Sequence, residues 1–437
     1  HTHTHTQKGI ASKIHAVVML QTEVRRLRTK ILVRTFSALL FTAVTVFLCS
    51  GTAKLANVRE TTLSKEGAWS ARLKILPISP KWNIELLRAY EYLLYSGHSR
   101  GFQQLYTDID IHRAAQRQAI VAQEKDFDFV YVPLYSGLFY HLCSDPAFGT
   151  VTSEPVRLAG TDCTMDLNDL INEARSSALW KMRNGTNFIW PHNHAFAFYS
   201  LNEENRLAVS QGILFAVEPE HFIPPFPTKT KYCIIPYAVV EPQNMVDTDS
   251  GVGFDVATKR KYTACFGGRN QTLIRADILR AMSTQENGTR ILGNQEHQQY
   301  MKDLLDCDFC FIPDGDVKST GRLFEALVAG CIPLVKSPLL ELPYTRLLDW
   351  SKISLTYAED FPASSILHTI DAYSLHDIHS FRTKIASIKP SHMFGFRNPL
   401  VYAPHESDWN LRRSLGDYVW RECLSEATVD FEKKLLS

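Results

Sequence analysis

The stretch from Phe309 to Val335, "FCFIPDGDVKSTGRLFEALVAGCIPLV", constrains the fold more than any other part of the chain. "FCFIP" makes a short buried strand, and "DGDVKSTG" has the chemistry of a loop and a helix start. "RLFEALVAG" is a helix closed by Gly330, and "CIPLV" is the next strand. Ser319 and Thr320 are suited to cap that helix, and the backbone N–H groups after them form a ready anion site.

The same alternation recurs on both sides. Apolar runs of strand length, "FDFVYVPLY" at 127–135, "FAFYSL" at 196–201 and "ILFAV" at 213–217, are separated by stretches of helical length. After the Pro-rich "HFIPPFPTKTK" the pattern resumes with "YCIIPYAVV", "YTACFGG", "FCFIP" and "CIPLV". Alternation of this kind predicts α/β units with buried, largely parallel sheets. A Pro-rich stretch cannot sustain a helix. We therefore expect two α/β units facing a cleft, residues 71–225 and 226–437, the second ending in closing helices.

The N-terminal part reads differently. "HTHTHT" has the alternation of a translated dinucleotide repeat, and residues 1–18 are expected to be upstream translation. From Met19, residues 19–35 form a tail whose Arg25, Arg26, Arg28 and Lys30 precede the uncharged apolar stretch 36–53. At helical rise that stretch spans roughly 27 Å, enough to cross a bilayer core. A cleaved signal peptide or a buried helix are the alternatives, and the preceding positive charge favours a transmembrane signal anchor with the bulk of the chain lumenal. Residues 54–70 are polar and read as a stem.

The 47 Lys and Arg residues balance 46 Asp and Glu, a formal charge of +1, so no global field points to nucleic acid. A phosphate-bearing ligand must then be held by a few local cations. Of nine cysteines, Cys49 lies in the apolar stretch, leaving an even eight, as a disulfide-permitting compartment would favour. Sequons at Asn184, Asn270 and Asn287 are candidate glycosylation sites and fit a lumenal placement. Cys307 and Cys310 form a lone C-x-x-C, readable as a redox pair or half a zinc site, and taken here as structural with partners elsewhere. Asp-x-Asp patterns at Asp247/Asp249, Asp306/Asp308 and Asp314/Asp316 are too frequent to discriminate a metal site.

On the helix after Thr320, Arg322 and Glu325 are three residues apart and share a face near its beginning. A cation there can pair with a diphosphate, and a carboxylate can accept hydrogen bonds from a ribose. A surface ion pair between the two is the plainer alternative. Open α/β sheets bind ligands at the carboxyl ends of parallel strands, which is where this loop sits.

The segment 309–335 resembles the exostosin-like glycosyltransferases of family 47, with their "R-L-[FW]-[ED]-A-[IL]" and "G-C-[IV]-P-[VL]" runs. Flanking pieces are similar to the family's in the same order: "LPISPKWN" (76–83), "FVYVPLY" (129–135), "KYCIIPY" (231–237), "RKYTACFGGRNQTLIRADIL" (260–279) and "LPYTRLLDWSKISL" (342–355). The likeness is to the single-domain plant and algal type. It implies a GT-B fold of two Rossmann-like domains, and sugar transfer with inversion from a nucleotide sugar, expected to be a UDP-sugar. No metal or other cofactor is obligatory in such enzymes. The implied acceptor is a polysaccharide or glycoprotein glycan, and the implied location is the Golgi membrane, single-pass type II, with room for homo- or hetero-oligomers.

On the same resemblance the donor site is expected to comprise Gly268, Arg275, Ser319, Thr320, Arg322 and Glu325, although Arg275 also reads as a surface charge at a helix start. The chain departs from the family at Gly185–Ile189, where the usual charged loop is missing. It also carries Asn193 where many relatives have Asp, and an amide cannot serve as a general base. His192 and His194 remain as the candidate catalytic groups. A non-catalytic partner of an active transferase is the rival reading.

Overall fold

The structure is a computed structural model. It describes residues 71–95, 106–119, 127–144, 165–194, 196–218, 225–240, 252–285, 288–293, 297–314, 318–337, 340–396 and 415–424. The chain divides into His1–Ala68 and Trp69–Ser437, and every described residue lies in the latter. Residues 1–18, the tail, the stretch 36–53 and the stem 54–70 lie outside the described residues, as does Asn287. Among the described residues no helix is long and apolar enough to cross a membrane.

The first sheet holds five parallel strands in sequence order: β1 (Leu73–Ile75), β2 (Phe129–Tyr131), β3 (Phe188–His192), β4 (Ile213–Ala216) and β5 (Lys231–Ile234). Helices α1 (Ile84–Tyr95), α2 (Thr107–Ala119), α3 (Ser136–Phe139), α4 (Leu167–Ser176), α5 (Ala178–Arg183) and α6 (Glu203–Ser210) lie between them in the chain. The central strands are apolar on both faces because helices and loops cover both, and every residue of β3 is buried. A short parallel pair joins β6 (Val239–Val240) to Gly395–Phe396.

The second sheet is also wholly parallel but its order reverses. It is built from β7 (Tyr262–Gly267), β8 (Thr289–Leu292), β9 (Cys307–Pro313), β10 (Ile332–Lys336) and β11 (Leu355–Thr356), arranged β11-β10-β9-β7-β8. The chain moves outward from β7 to β8, then returns past β7 to β9 and continues the other way. Helices α7 (Leu273–Thr284), α8 (His297–Leu304), α9 (Gly321–Val328), α10 (Ala363–Ile370) and α11 (Leu375–Ser387) accompany it. The two-unit α/β architecture expected from the sequence is thus present.

Two expectations are corrected. The boundary at 225/226 falls inside the first sheet, because β5 pairs with β4 from Ile213↔Lys231 to Ala216↔Ile234. The Pro-rich stretch before it therefore does not end the sheet. As an edge strand, β5 exposes Lys231 and Tyr232 and shows no continuous apolar run at its start. The closing helix α12, residues 415–424, also returns to the first unit. Its Trp420 packs 5.3 Å from Tyr131 and 5.0 Å from Phe215 and donates Nε1–H to the Ile111 carbonyl at 2.9 Å. Cys423 forms a disulfide with Cys233, and Gly416 N–H donates to Asp110 at 2.8 Å.

The second correction concerns "FAFYSL". It forms successive turns, with Ala197 N–H donating to His194 O and Tyr199 N–H to Phe196 O. Phe198 and Leu201 point into the core while Tyr199 is 63% exposed. Its apolarity reflects packing of a turn, and the strand lies upstream in β3.

Candidate functional site

The reversal of strand order places β7 and β9 side by side, paired through Cys265↔Cys310, with their following loops diverging to opposite sides. Such a switch point opens a crevice at the carboxyl ends of the strands. Two disulfides fix it from below. Cys265–Cys307 ties β7 to β9, and Cys310–Cys331 ties β9 to the start of β10. The two cysteines of the C-x-x-C therefore pair with different partners, in agreement with their structural reading.

The six residues expected at the donor site lie after the two strands that flank the switch point, Gly268 and Arg275 after β7 and Ser319, Thr320, Arg322 and Glu325 after β9. Gly268 follows β7, and a Cβ there would meet the Phe266 ring at 2.5 Å. Thr272 then caps α7 by accepting from Arg275 N–H. Arg275 is 2% exposed, which overturns its reading as a surface charge. Its Nε and Nη2 donate to the Asp314 carbonyl at 3.1 and 2.8 Å, and Nη1 to Gln271 Oε1 at 2.7 Å. The guanidinium thus holds the end of β9 against the start of α7, and it shapes the crevice through the backbone.

Thr320 is the N-cap of α9, its hydroxyl accepting from Arg322 N–H. Such a cap contributes about 1 kcal/mol. The helix buries Leu323, Phe324, Ala326, Leu327 and Val328 and turns Arg322 and Glu325 away from that face. At its end Gly330 has φ +64°, and a Cβ there would strike the Phe254 ring at 2.4 Å, so only glycine closes the helix without rearrangement.

Glu325 does not form the plain surface pair with Arg322. Its ion-pair partner is His297, Nδ1 to Oε1 3.6 Å, and it is hydrogen-bonded to Tyr300, both from α8. Burial raises its carboxyl above the usual range, and His297, Arg322 and Tyr300 oppose that rise, while 18% of the side chain stays accessible. Tyr300 rests against the end of β7, where a Cβ on Gly267 would meet its ring at 2.4 Å. The Arg322 charge acts on Glu325 and Tyr300, and among the described residues its side chain makes no hydrogen bond or salt bridge.

Ser319 is buried, and its hydroxyl donates to Glu218 Oε2 at 2.9 Å with Tyr237 Oη 3.3 Å away. Glu218 follows β4 of the first sheet and also accepts from Lys318 N–H at 2.6 Å. Burial, opposed by the Ser319 hydrogen bond and reinforced by the Glu218 charge, pushes Tyr237 up to about 12. Glu218 and Tyr237 were not singled out from the sequence, since nothing around "FAVEPE" marks a carboxylate that returns to a loop a hundred residues later.

The candidate bases lie at the carboxyl ends of the first sheet. His192 ends β3, is 1% exposed, and packs edge-on against Phe198 at 4.7 Å. Burial holds its imidazole down to about 3, so it is neutral at physiological pH. His194 stacks on Tyr140 at 4.3 Å and accepts from Phe196 N–H through Nδ1. Asn193 N–H donates to Ser136 Oγ at 3.0 Å, and Ser136 in turn donates to Asp108 Oδ2 at 3.1 Å. Asp108, another residue missed from sequence, is fully buried, and desolvation raises it to about 7 against hydrogen bonds from Gly137 N–H and Ser136.

Elsewhere, Asn184 and Asn270 are exposed, Asn184 in the left-handed region at the end of α5 and Asn270 in the loop before α7. Asp308 of the Asp-x-Asp patterns is ion-paired with Arg382. No group of three or more His, Cys, Asp or Glu is gathered among the described residues as a metal ion would need.

The family model of the exostosin GT47 domain matches residues 71–373. Among similar proteins, the probable arabinosyltransferase ARAD1 of Arabidopsis thaliana is 22% identical over 60% of this chain and 57% of its own length. The probable glucuronosyltransferase GUT1 of Oryza sativa subsp. japonica is 22% identical over 72% of this chain and 74% of its own. The chain thus spans little more than half the length of the former and three quarters of the latter. A crystal structure of Anabaena Alr3699/HepE with UDP and glucose covers 74% of this chain and 96% of that one, at 10% identity and a TM-score of 0.33. With the family model covering both sheets, the chain belongs to the exostosin GT47 family.

Proposed function

We propose that this protein is an inverting glycosyltransferase that moves a sugar from a nucleotide diphosphate donor, with UDP as the nucleotide, to a hydroxyl of a polysaccharide or glycoprotein glycan. The observation that carries the reading is the grouping of Arg322, Glu325, Thr320 and Gly268 around the switch point of the second sheet. Arg322 neutralises the diphosphate as it leaves, and Glu325, held by His297 and Tyr300, accepts from the ribose hydroxyls. Arg275 and the capping Thr320 fix the two loops between which the diphosphate lies. The acceptor hydroxyl attacks the anomeric carbon as the bond to the diphosphate breaks, and its proton passes to a base of the first unit.

The enzyme works, in this reading, as a single-pass type II protein of the Golgi membrane. Three disulfides among the described residues and exposed sequons at Asn184 and Asn270 support a lumenal setting. One observation favours a second reading, a non-catalytic partner: Asn193 is an amide and His192 is buried among aromatic rings. Titration of the purified protein with UDP, GDP and CDP decides between them. Micromolar binding of UDP with sugar release from a UDP-sugar is expected, and failure to bind any nucleotide would leave only the partner role.

A further inference from the structure

The start of α9 already holds an anion. Glu218, 4% exposed, reaches from the end of β4 and takes both the Lys318 N–H, at 2.6 Å, and the Ser319 hydroxyl, at 2.9 Å. These are the donors that precede the Thr320 cap, where the helix dipole also favours negative charge. While the Ser319 hydrogen points at Glu218 it cannot point at a phosphate oxygen. A small pocket lined by Val217, Tyr237, Ser319, Thr320 and Leu323 lies beside this contact, joining the two sheets.

We infer that Glu218 is a built-in competitor of the donor's diphosphate: its carboxylate occupies the hydrogen-bond donors at Lys318 and Ser319 and is displaced when the nucleotide binds. The inference rests on the nucleotide-sugar reading of the same crevice. Two anions sharing these donors repel one another at short range, so a diphosphate that engages this loop must push the carboxylate away. Displacement frees a carboxylate of the first unit beside the second unit's crevice. Donor arrival and the state of the first unit are coupled through that one side chain.

A latch of this kind differs in sign from a residue that only shapes the loop. Glu218→Gln keeps the size and the capacity to accept from Lys318 N–H but removes the charge. Calorimetric titration of the full chain with UDP at constant ionic strength should therefore show the variant binding about 10-fold tighter than the parent. Glu218→Asp keeps the charge but withdraws it by one methylene, and it should gain by a smaller factor. If the Gln variant fails to fold, the Asp variant tests the latch by the same sign. UDP binding that is unchanged or weaker in a folded variant, with the parent binding normally, overturns the latch alone. Absence of UDP binding in parent and variants overturns the nucleotide reading and the latch with it.

Discussion

The two sheets use the carboxyl ends of their strands in opposite ways. In the first, the strands follow one another in sequence order and the polar groups at their ends are sealed inside: Asp108, Ser136 and the Asn193 backbone are bonded to one another, and His192 is packed among rings. In the second, the strand order reverses, and Arg322 and Glu325 at the start of α9 are only partly buried. A reversal of strand order parts the loops that follow neighbouring strands and opens a crevice at their carboxyl ends. On this comparison, changes at Asp108 and Ser136 should register in stability, and changes at Arg322 and Glu325 in ligand binding and turnover.

The largest expected effect tests the sealed side. Desolvation by burial raises the Asp108 carboxyl to about 7 in the fold from its ordinary 3.8. A raised carboxyl favours the fold fully below its unfolded value, and the benefit is lost as pH rises through the folded value. The difference in unfolding free energy between Asp108→Asn and the parent should therefore grow by about 4 kcal/mol in favour of the variant between pH 4 and pH 7. Denaturant titrations across that window measure it. A difference that does not change with pH would show that Asp108 is solvated or paired in solution.

On the open side, Arg322→Ala should lower kcat/KM about 100-fold with the melting temperature unchanged, because the lost charge stabilises the leaving diphosphate. Retained turnover in the folded variant would break the comparison. Glu325→Gln should raise the Kd for UDP about 10-fold and leave kcat nearly intact, since ribose contacts persist from ground to transition state. If kcat fell as far as the affinity, Glu325 would belong to the chemistry and not to the binding of the ribose. The smallest effect is expected at His194, whose ring is committed to Tyr140 and to Phe196 N–H. His194→Gln should change turnover by no more than about threefold, and a loss of several hundredfold would move the base to this position.

Much of this was legible in the sequence. The strand, loop, helix and strand at 309–335 appear as β9, α9 and β10, because an apolar run, a hydroxyl cap, an amphipathic stretch and a closing glycine are each local signals that agree. The placement of Gly268 and Arg275 after β7, and of Ser319, Thr320, Arg322 and Glu325 after β9, followed from the sequence, but the buried commitment of Arg275 to the Asp314 carbonyl did not, since it depends on strands far apart in the chain being neighbours. The unit boundary was misplaced for a related reason. A Pro-rich loop is a local signal, while the partner of an edge strand is not. Glu218 and Asp108 escaped because a carboxylate's importance here lies in burial and in partners a hundred or 28 residues away.

The pairing of Cys233 with Cys423, 190 residues apart, and the seat of Trp420 against Tyr131 and Phe215 carry a consequence for synthesis on the ribosome. The first sheet is written first, yet the helix that finishes it is written only after the whole of the second sheet. During translation the second sheet, continuous from β7 to β11, can close as soon as it emerges. The older half meanwhile waits with the apolar surface that receives Trp420 uncovered, a natural point of engagement for chaperones. A stop codon shortly before residue 415 should therefore damage the half of the protein that had been completed earliest, and leave the crevice of the later half the better formed.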